Sequence, residues 1–371
     1  MEHSFTPVIR EILARHFGGF GENIFQQSPL LQYINIKTKS ASKGAKARAS
    51  YGNLYTIYVL LKDYIDRGFV SSKKSYSGSD GAKFSDLLRQ ARELPFGAKL
   101  QNHSFNNRLN DEFKKYFTSC DYQPVIRDLS SQRYWICENL IKIKVAEKTY
   151  CLADVIVDII DAYVAAKQDA FKSFTLACKK MQTVSQDDQA AVVDYVQSLL
   201  EPNVDARIFE IVSYAILKYY YSKTVIYWGW SRQTINEELL ALYKTGRTNA
   251  NDGGIDFVMK PLGRFFQVTE TLDLKKYFLD IDKVQHYPVT FVVKTDLSIS
   301  DIKTVIESNS RKIYSVEKVV KEYMACIEEI INIPVLIECL EKVVKEKQIA
   351  DVFREIIIQS EVEFNFTVSN K

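Results

Sequence analysis

The chain has 371 residues, of which 46% are hydrophobic and 26% are charged. This length exceeds what one hydrophobic core usually organises, and the apolar content excludes a disordered chain, so we expect two compact units. The formal net charge is only +3, which neither requires nor excludes a polyanionic partner.

The charge is unevenly distributed. Residues 1–100 contain nine lysines and six arginines against four aspartates and four glutamates, a local net charge of +7. Any electrostatic contact with nucleic acid should therefore involve the N-terminal part. The six scattered cysteines form no CxxC pair, which is typical of reduced thiols in a cytoplasmic protein and gives no reason to expect zinc. No run of about 18 uncharged apolar residues occurs, so we expect no membrane span.

The N-terminal elements are mainly helical. Apolar spacing predicts an opening helix at 7–17 and a buried, tyrosine-rich helix at 51–65. Between them, residues 37–50 carry basic side chains and no acid. This stretch is either a solvated loop or an arm that contacts DNA phosphates. The candidate DNA-binding residues are Lys37, Lys39, Lys43, Lys46 and Arg48.

A change of pattern at 201–203 (EPN) divides the chain into a helical, basic region, 1–200, and a second region, 201–371. The remaining predictions for the first region are a loop at 71–83, a strand within 135–145, and helices at 84–92, 107–117, 154–176 and 187–200. In the second region, a helix with apolar residues from Ile208 to Tyr219 precedes short β-branched and aromatic runs. We predict strands at 224–228, 255–259, 265–269 and 289–293, and helices at 300–307, 316–331 and 334–345. The fold class is thus α/β (α+β), a small sheet covered by helices.

A hairpin in this region carries the candidate chemistry. Asp256 lies early in one strand, and Gln267 and Thr269 lie in the next, with the turn 260–263 between them. Because strand side chains alternate, Gln267 and Thr269 face one side, and the partner strand can present Asp256 there too. A carboxylate with neutral oxygens suits Mg²⁺, which neutralises phosphate charge and lowers the pKa of a bound water.

Neighbouring residues extend this hypothesis. Glu210, next to the apolar stripe of the preceding helix, offers a third oxygen ligand or is a surface glutamate. Gly253 and Gly254 leave room for a phosphate or form an ordinary turn, and Asp252 is interpreted as a turn residue. Three further residues, His286, Trp228 and Trp230, are interpreted as structural, with stacking of a tryptophan on a base as the alternative.

The amino-acid sequence of this region resembles that of a known protein family. The helix Glu210, the strand opening GGID and the following QVT resemble the PD-(D/E)XK nuclease superfamily. Over residues 205–294, the segments DARIFEIVSYAIL, YWGW and YKTGRTNANDGGIDFVMKPLGRFFQVTETLD resemble the HaeII-type restriction endonucleases. The resemblance implies a restriction-endonuclease-like mixed sheet flanked by helices. It also implies that Asp256 binds the metal, that Gln267 replaces a second acid, and that Glu210 supports the metal or orients water.

One position departs from the superfamily pattern. Thr269 stands where the superfamily usually has lysine, and threonine cannot supply a cation. Lys260, on the alternation face of Asp256, is the first candidate for a relocated basic group. Arg264, Lys275 and Lys276 are the other candidates, and a second metal ion is the alternative.

These observations predict a type II restriction endonuclease that uses Mg²⁺ to hydrolyse duplex DNA at a short palindromic site. A palindrome is matched most simply by a homodimer. The resemblance further implies a G+C-rich target of the RGCGCY kind and a cognate DNA methyltransferase as genetic partner. Two alternatives stay open: a non-cleaving DNA-binding protein with a nuclease-like fold, and a helical protein-interaction module.

Overall fold

The computed structural model describes residues 2–41, 47–98, 100–184, 188–201, 204–245, 255–270, 272 and 274–364, without the side chains of 47–50, 184 and 274–276. The described part of the chain divides into two compact units, one within residues 1–173 and the other Phe174–Phe364. The division lies upstream of the segment 201–203 at which the sequence changes pattern.

The N-terminal unit is mainly helical, with small antiparallel sheets. Its elements are α1 (Thr6–Phe17), α2 (Gly21–Gln27), α3 (Pro29–Thr38), α4 (Ala47–Asp66), β1 (Ala82–Lys83), α5 (Phe84–Glu93), α6 (Leu109–Tyr116), β2 (Val125–Asp128), β3 (Arg133–Ile136), α7 (Glu138–Ile141), β4 (Lys142–Val145), β5 (Lys148–Cys151) and α8 (Ala153–Val184), which continues into the second unit. The strands form a β1–β3–β2 sheet and a β4–β5 hairpin. The helices predicted at 7–17 and 51–65 are confirmed, and the strand predicted within 135–145 is present.

The basic stretch 37–50, for which a loop and a DNA-contacting arm were both left open, is partly helical. Helix α3 continues to Thr38, a short 3-10 turn follows at Lys39–Ala41, and α4 begins at Ala47, while residues 42–46 lie outside the described residues. Apolar neighbours explain the end of α3, because this helix buries Leu30, Leu31 and Ile34 together with Lys37.

The C-terminal unit contains the larger sheet. Its elements are α9 (Gln189–Ser198), α10 (Ala206–Tyr221), β6 (Val225–Trp228), β7 (Asn236–Leu239), β8 (Ala241–Lys244), β9 (Phe257–Lys260), β10 (Arg264–Thr269), α11 (Leu274–Lys283), β11 (Val289–Val293), α12 (Ile299–Ile313), α13 (Glu317–Ala325), β12 (Ile327–Ile331), α14 (Ile333–Lys345) and α15 (Ile349–Phe364). Strands β6 and β7 form a separate two-stranded ribbon.

Five strands form a mixed sheet in the order β12–β11–β10–β9–β8. Strands β8, β9 and β10 are antiparallel, whereas β10, β11 and β12 are parallel. The protein is thus a mixed α/β protein, as predicted. Helix α10 packs on one face of the sheet, where the Tyr214 and Phe257 rings are 5.1 Å apart. Helix α11 covers the other face, where Tyr277 lies 4.5 Å from Phe291. We call these the α10 face and the α11 face.

Several elements differ from the prediction. Residues 327–331 form strand β12, not the end of a helix that begins near 316. This strand pairs with β11, so a tertiary contact decides its conformation. Strands β7 and β8 and helices α11 and α15 had no predicted counterpart. No helix among the described residues has the length and apolarity to cross a membrane.

Candidate functional site

The candidate residues collect at one end of the five-stranded sheet, where β8, β10 and β11 end and β9 begins. We call this the sheet end. Asp256 immediately precedes β9, and its backbone N–H donates to the Phe266 carbonyl at 2.9 Å. Its carboxylate oxygen Oδ2 accepts a hydrogen bond from the Val268 N–H at 2.7 Å. The carboxylate therefore replaces a backbone acceptor in the ladder and is held beside Gln267.

Gln267 is buried, with 6% of its surface exposed. Since Phe266 pairs with Phe257 of the α10 face, alternation puts Gln267 on the α11 face, beside its register partner Phe291. Its Nε2 donates to the Val268 carbonyl at 3.2 Å, but its Oε1 has no hydrogen-bond partner among the described residues. An unsatisfied buried acceptor lowers the free energy of unfolding by about 1–3 kcal/mol. We therefore expect this oxygen to bind a ligand, an ion or water.

A second unsatisfied group lies on the same face. The Tyr277 ring packs against Phe291, the register partner of Gln267, and its hydroxyl is also without a partner among the described residues. Burial raises the pKa of Tyr277 well above its ordinary value, so the hydroxyl stays a protonated donor. Gln267 Oε1 and the Tyr277 hydroxyl, both without a partner among the described residues, thus belong to two side chains that adjoin Phe291 on the α11 face.

Thr269 shares the face of Gln267 and is buried. Its register partner on β11 is Val293, and its carbonyl accepts the backbone N–H of Lys294 at 2.9 Å. The threonine side chain brings no positive charge to the sheet end, as its sequence position predicted.

Glu210 is placed differently from the prediction. Helix α10 begins at its N-cap Asp205 and buries Glu210, whose Oε1 lies 2.7 Å from Lys244 Nζ. Lys244 pairs with Phe257 across β8 and β9, so this ion pair lies on the α10 face. Gln267 projects from the other face. The structure therefore does not bring Glu210 together with Gln267 as one ligand set, because alternation separates them across the sheet.

A second ion pair at the sheet end was not predicted. Lys294 follows β11, and its Nζ lies 3.1 Å from Glu270 Oε1 and donates to the Val204 carbonyl. The ammonium also lies 5.7 Å from the centre of the Phe209 ring. Only 2% of the Lys294 side chain is exposed. The available sequence signal was position, since Lys294 is the first charged residue after the uncharged strand 289–293.

The predicted basic substitutes for the missing lysine lie elsewhere. Lys260 is exposed and pairs with Ala241 at the opposite end of β9. It lies four positions along the strand from Asp256, or about 13 Å, so sharing a face did not bring the two together. Arg264 begins β10, bonds Thr290 Oγ1 at 3.0 Å and forms ion pairs with Glu328 and Glu329. The side chains of Lys275 and Lys276 lie outside the described residues.

The predicted DNA-binding arm is also revised. Lys37 is buried and its Nζ lies 2.7 Å from Glu112 Oε1. This lysine therefore forms an internal ion pair and is not placed to contact a phosphate. Lys39 is exposed. Lys43, Lys46 and the side chain of Arg48 lie outside the described residues, as do Asp252, Gly253 and Gly254.

The aromatic residues and His286 complete the predicted set. Trp228 donates from Nε1 to Glu238 Oε2 at 2.8 Å, consistent with a structural role. Trp230 was also expected to pack, but it is 93% exposed at the tip of the β6–β7 ribbon, so that interpretation was wrong. His286 precedes β11 at the opposite end of the sheet, with its Nε2 3.3 Å from Asp282 Oδ1.

The donor set at the sheet end fits a hard cation. Within the described ranges, no three His, Cys, Asp or Glu side chains come close enough to form a metal cluster. Asp256 and Gln267 nevertheless provide a carboxylate and an unsatisfied amide oxygen on adjacent strands. Oxygen donors of this kind, completed by water, are those that Mg²⁺ accepts in proteins.

Comparisons with known proteins add no further constraint. No family model, curated protein or solved structure matches the chain.

Proposed function

We propose that the protein is a type II restriction endonuclease that uses Mg²⁺ to hydrolyse phosphodiester bonds of duplex DNA at a short palindromic site. One observation carries the proposal. The Asp256 carboxylate is fixed by the Val268 N–H next to Gln267, whose buried Oε1 lacks a partner among the described residues. A bound cation would satisfy that oxygen and complete the site.

Asp256 and Gln267 would hold the metal, which when bound neutralises phosphate charge and supplies a water of lowered pKa. The chain's own residues then have distinct tasks. Asp256 keeps its position through the ladder hydrogen bond to Val268, and so presents a carboxylate with little freedom to move. Gln267 contributes a neutral oxygen, so this pair brings one negative charge where two acids would bring two.

Two further features support the proposal. The mixed sheet with helices on both faces is the architecture that the resemblance to the PD-(D/E)XK superfamily implies. The amino-acid sequence of residues 205–294 resembles those of the HaeII-type enzymes. This resemblance implies an RGCGCY-like target and a DNA methyltransferase as genetic partner. A palindromic target would be matched by a homodimer.

Incubation of the purified protein with plasmid DNA tests the proposal. We expect discrete fragments with Mg²⁺, none with EDTA, and fragment ends that share one short palindrome when sequenced. If no Mg²⁺-dependent cleavage is seen with DNA of varied sequence, the proposal that the protein is an endonuclease is wrong. Duplex binding without cleavage would favour the non-cleaving alternative, which Thr269 in the lysine position supports.

A further inference from the structure

The two-stranded ribbon of β6 and β7 has one exposed, mainly apolar face. Val225 and Tyr227 lie on the same side of β6, because side chains alternate along a strand, and their register partners on β7 are Leu239 and Glu237. Ile235, in extended backbone just before β7, continues this face. The exposed fractions of its four apolar residues run from 41% for Val225 to 70% for Tyr227. We call the surface of these five residues the ribbon face.

The ribbon face is large enough for an interface between proteins. At these exposures its apolar residues leave roughly 450 Å² in contact with water, a size of apolar patch that on a folded protein commonly marks an interaction site. Burial against an identical face would remove roughly 900 Å² from the apolar residues of both copies, and the polar residues around them add to this area. The total therefore reaches the about 1,000 Å² that a specific interface requires.

Charge and position argue against DNA as the partner of this face. Strands β6 and β7 contain two glutamates and no basic residue, so they do not attract a polyanion. The ribbon also joins the five-stranded sheet at the end opposite Asp256, because β7 leads into β8, whose first residue, Ala241, pairs with Lys260. A protein surface is therefore the better match.

The ribbon face is complementary to a second copy of itself. A twofold axis parallel to the strands lays β6 of one copy over β7 of the other. Val225 then lies opposite Leu239 of the second copy, and Tyr227 lies opposite its Glu237. The tyrosine hydroxyl can donate a hydrogen bond to that carboxylate. A twofold axis across the strands would instead place the two glutamates opposite each other, and like charges in that position are destabilising.

We propose that the ribbon face binds a second copy of this chain, face to face, about a twofold axis parallel to β6 and β7. The inference goes beyond the proposed function, because it depends on the surface of the ribbon and not on cleavage of DNA. Such an interface is isologous, with the same residues contributed by both copies.

Two variants with opposite charges test the contact and its geometry. Native mass spectrometry, without DNA or Mg²⁺, measures the mass of the protein over a concentration series. Wild-type protein should pass from one chain of 42.7 kDa to two chains. Val225→Lys and Leu239→Glu each bury an unpaired charge in the interface, so each variant alone should dimerise at least about 10-fold more weakly. An equimolar mixture should form a mixed dimer, because the introduced lysine then faces the introduced glutamate.

Leu279→Glu is the matched control. Leu279 is 55% exposed, close to the 53% of Leu239, but it lies on α11. The same charge at this position should leave dimerisation unchanged. All three substituted side chains are exposed, so the variants should fold, and thermal unfolding verifies this.

Each other outcome contradicts the proposal. If wild-type protein is a single chain at every concentration, or if both charged variants dimerise as wild type does, the ribbon face is not the interface. If the mixed dimer does not form, Val225 and Leu239 of different chains do not meet, and the twofold arrangement is wrong. If Tyr227→Ala weakens duplex DNA binding in fluorescence anisotropy without changing the mass, the face contacts DNA instead. The plasmid assay decides the proposed function separately, since a dimer that does not cleave DNA leaves this inference intact.

Discussion

The two units each contain a buried polar cluster, and the clusters differ in how completely their hydrogen-bonding atoms are matched. In the N-terminal unit, Asn53 donates from Nδ2 to Tyr33 Oη and Glu112 Oε2, both at 2.7 Å, and its Oδ1 accepts from Ser104 Oγ at 2.8 Å. The other Glu112 oxygen contacts Lys37. On the α11 face of the C-terminal unit's sheet, Gln267 Oε1 and the Tyr277 hydroxyl lack partners among the described residues.

This difference separates a structural role from a binding role. Buried polar groups stabilise a fold when all of them are paired, and an unpaired one lowers its stability. The Asn53 cluster is complete without any ligand, so it specifies the packing of α3, α4 and α6. Gln267 Oε1 at the sheet end has no partner among the residues that the structure describes, as expected where binding supplies the missing partner.

Asp256→Asn should have the largest effect. The asparagine oxygen can still accept from the Val268 N–H, so the fold should persist while metal binding is lost. Metal catalysis contributes several kcal/mol to phosphate chemistry, and ~4 kcal/mol corresponds to about 10³-fold in rate. We therefore expect plasmid cleavage to fall by at least about 10³-fold with little change in the unfolding temperature.

The matched control is Asp282→Asn. Asp282 accepts a hydrogen bond from the Tyr323 hydroxyl at 2.6 Å, close to His286 at the opposite end of the sheet. Cleavage by this variant should remain within about twofold of wild type. Equal losses in the two variants would show that the effect is not specific to the sheet end.

The two buried amides should respond in opposite ways. Asn53→Leu removes three hydrogen bonds and leaves buried partners unpaired, so urea unfolding should show a loss of about 3 kcal/mol. Gln267→Met removes only the 3.2 Å bond to the Val268 carbonyl, so the loss should stay near 1 kcal/mol. Cleavage, however, should fall about 10²-fold in the folded Gln267 variant. A large stability loss there with normal cleavage would assign Gln267 a structural role.

Glu112→Gln tests how much the negative charge of Glu112 contributes to the stability of the cluster around Asn53. Lys37 would remain buried without its carboxylate. Breaking a buried pair costs about 3–5 kcal/mol, and the partial exposure of Glu112 reduces this to roughly 2 kcal/mol. Urea unfolding measures the change, and the rate of cleavage per folded molecule should not alter. A reduced rate in folded protein would connect this cluster with the reaction.

The smallest contrast concerns two tyrosines. Tyr33→Phe loses the bond from Asn53 and should destabilise the protein by about 1 kcal/mol. Tyr277→Phe removes a hydroxyl without a partner, so stability in the absence of ligand should be unchanged or rise by up to about 1 kcal/mol. Thermal unfolding compares the two. Destabilisation by Tyr277→Phe equal to that by Tyr33→Phe would show that its hydroxyl is satisfied in solution.

The sequence predicted the parts of this arrangement that depend on local pattern. The apolar spacing of α10 and the uninterrupted run of β11 predicted those elements, and the 260–263 turn predicted the β9–β10 hairpin. The hairpin in turn places Asp256 next to Gln267. These features need only neighbouring residues, so their physical cause is visible in the sequence.

The ion pairs could not be predicted in the same way. Lys294 meets Glu270 because β11 returns parallel to β10 after a crossover through α11. Glu210 meets Lys244 because α10 packs over β8. Both contacts depend on strand order and on the face that each helix covers, which alternation in a single strand does not reveal. The same limit led to the expectation that Lys260 would be the cation.

Iron-mediated cleavage of the polypeptide tests the metal site most directly. Fe²⁺ in place of Mg²⁺, with ascorbate and hydrogen peroxide, generates radicals that cut the backbone next to the bound ion, and mass spectrometry locates the cuts. A metal site at Asp256 and Gln267 predicts cuts close to these two residues that excess Mg²⁺ suppresses and that Asp256→Asn abolishes. Cuts confined to other parts of the chain, or cuts that persist in Asp256→Asn, would contradict it.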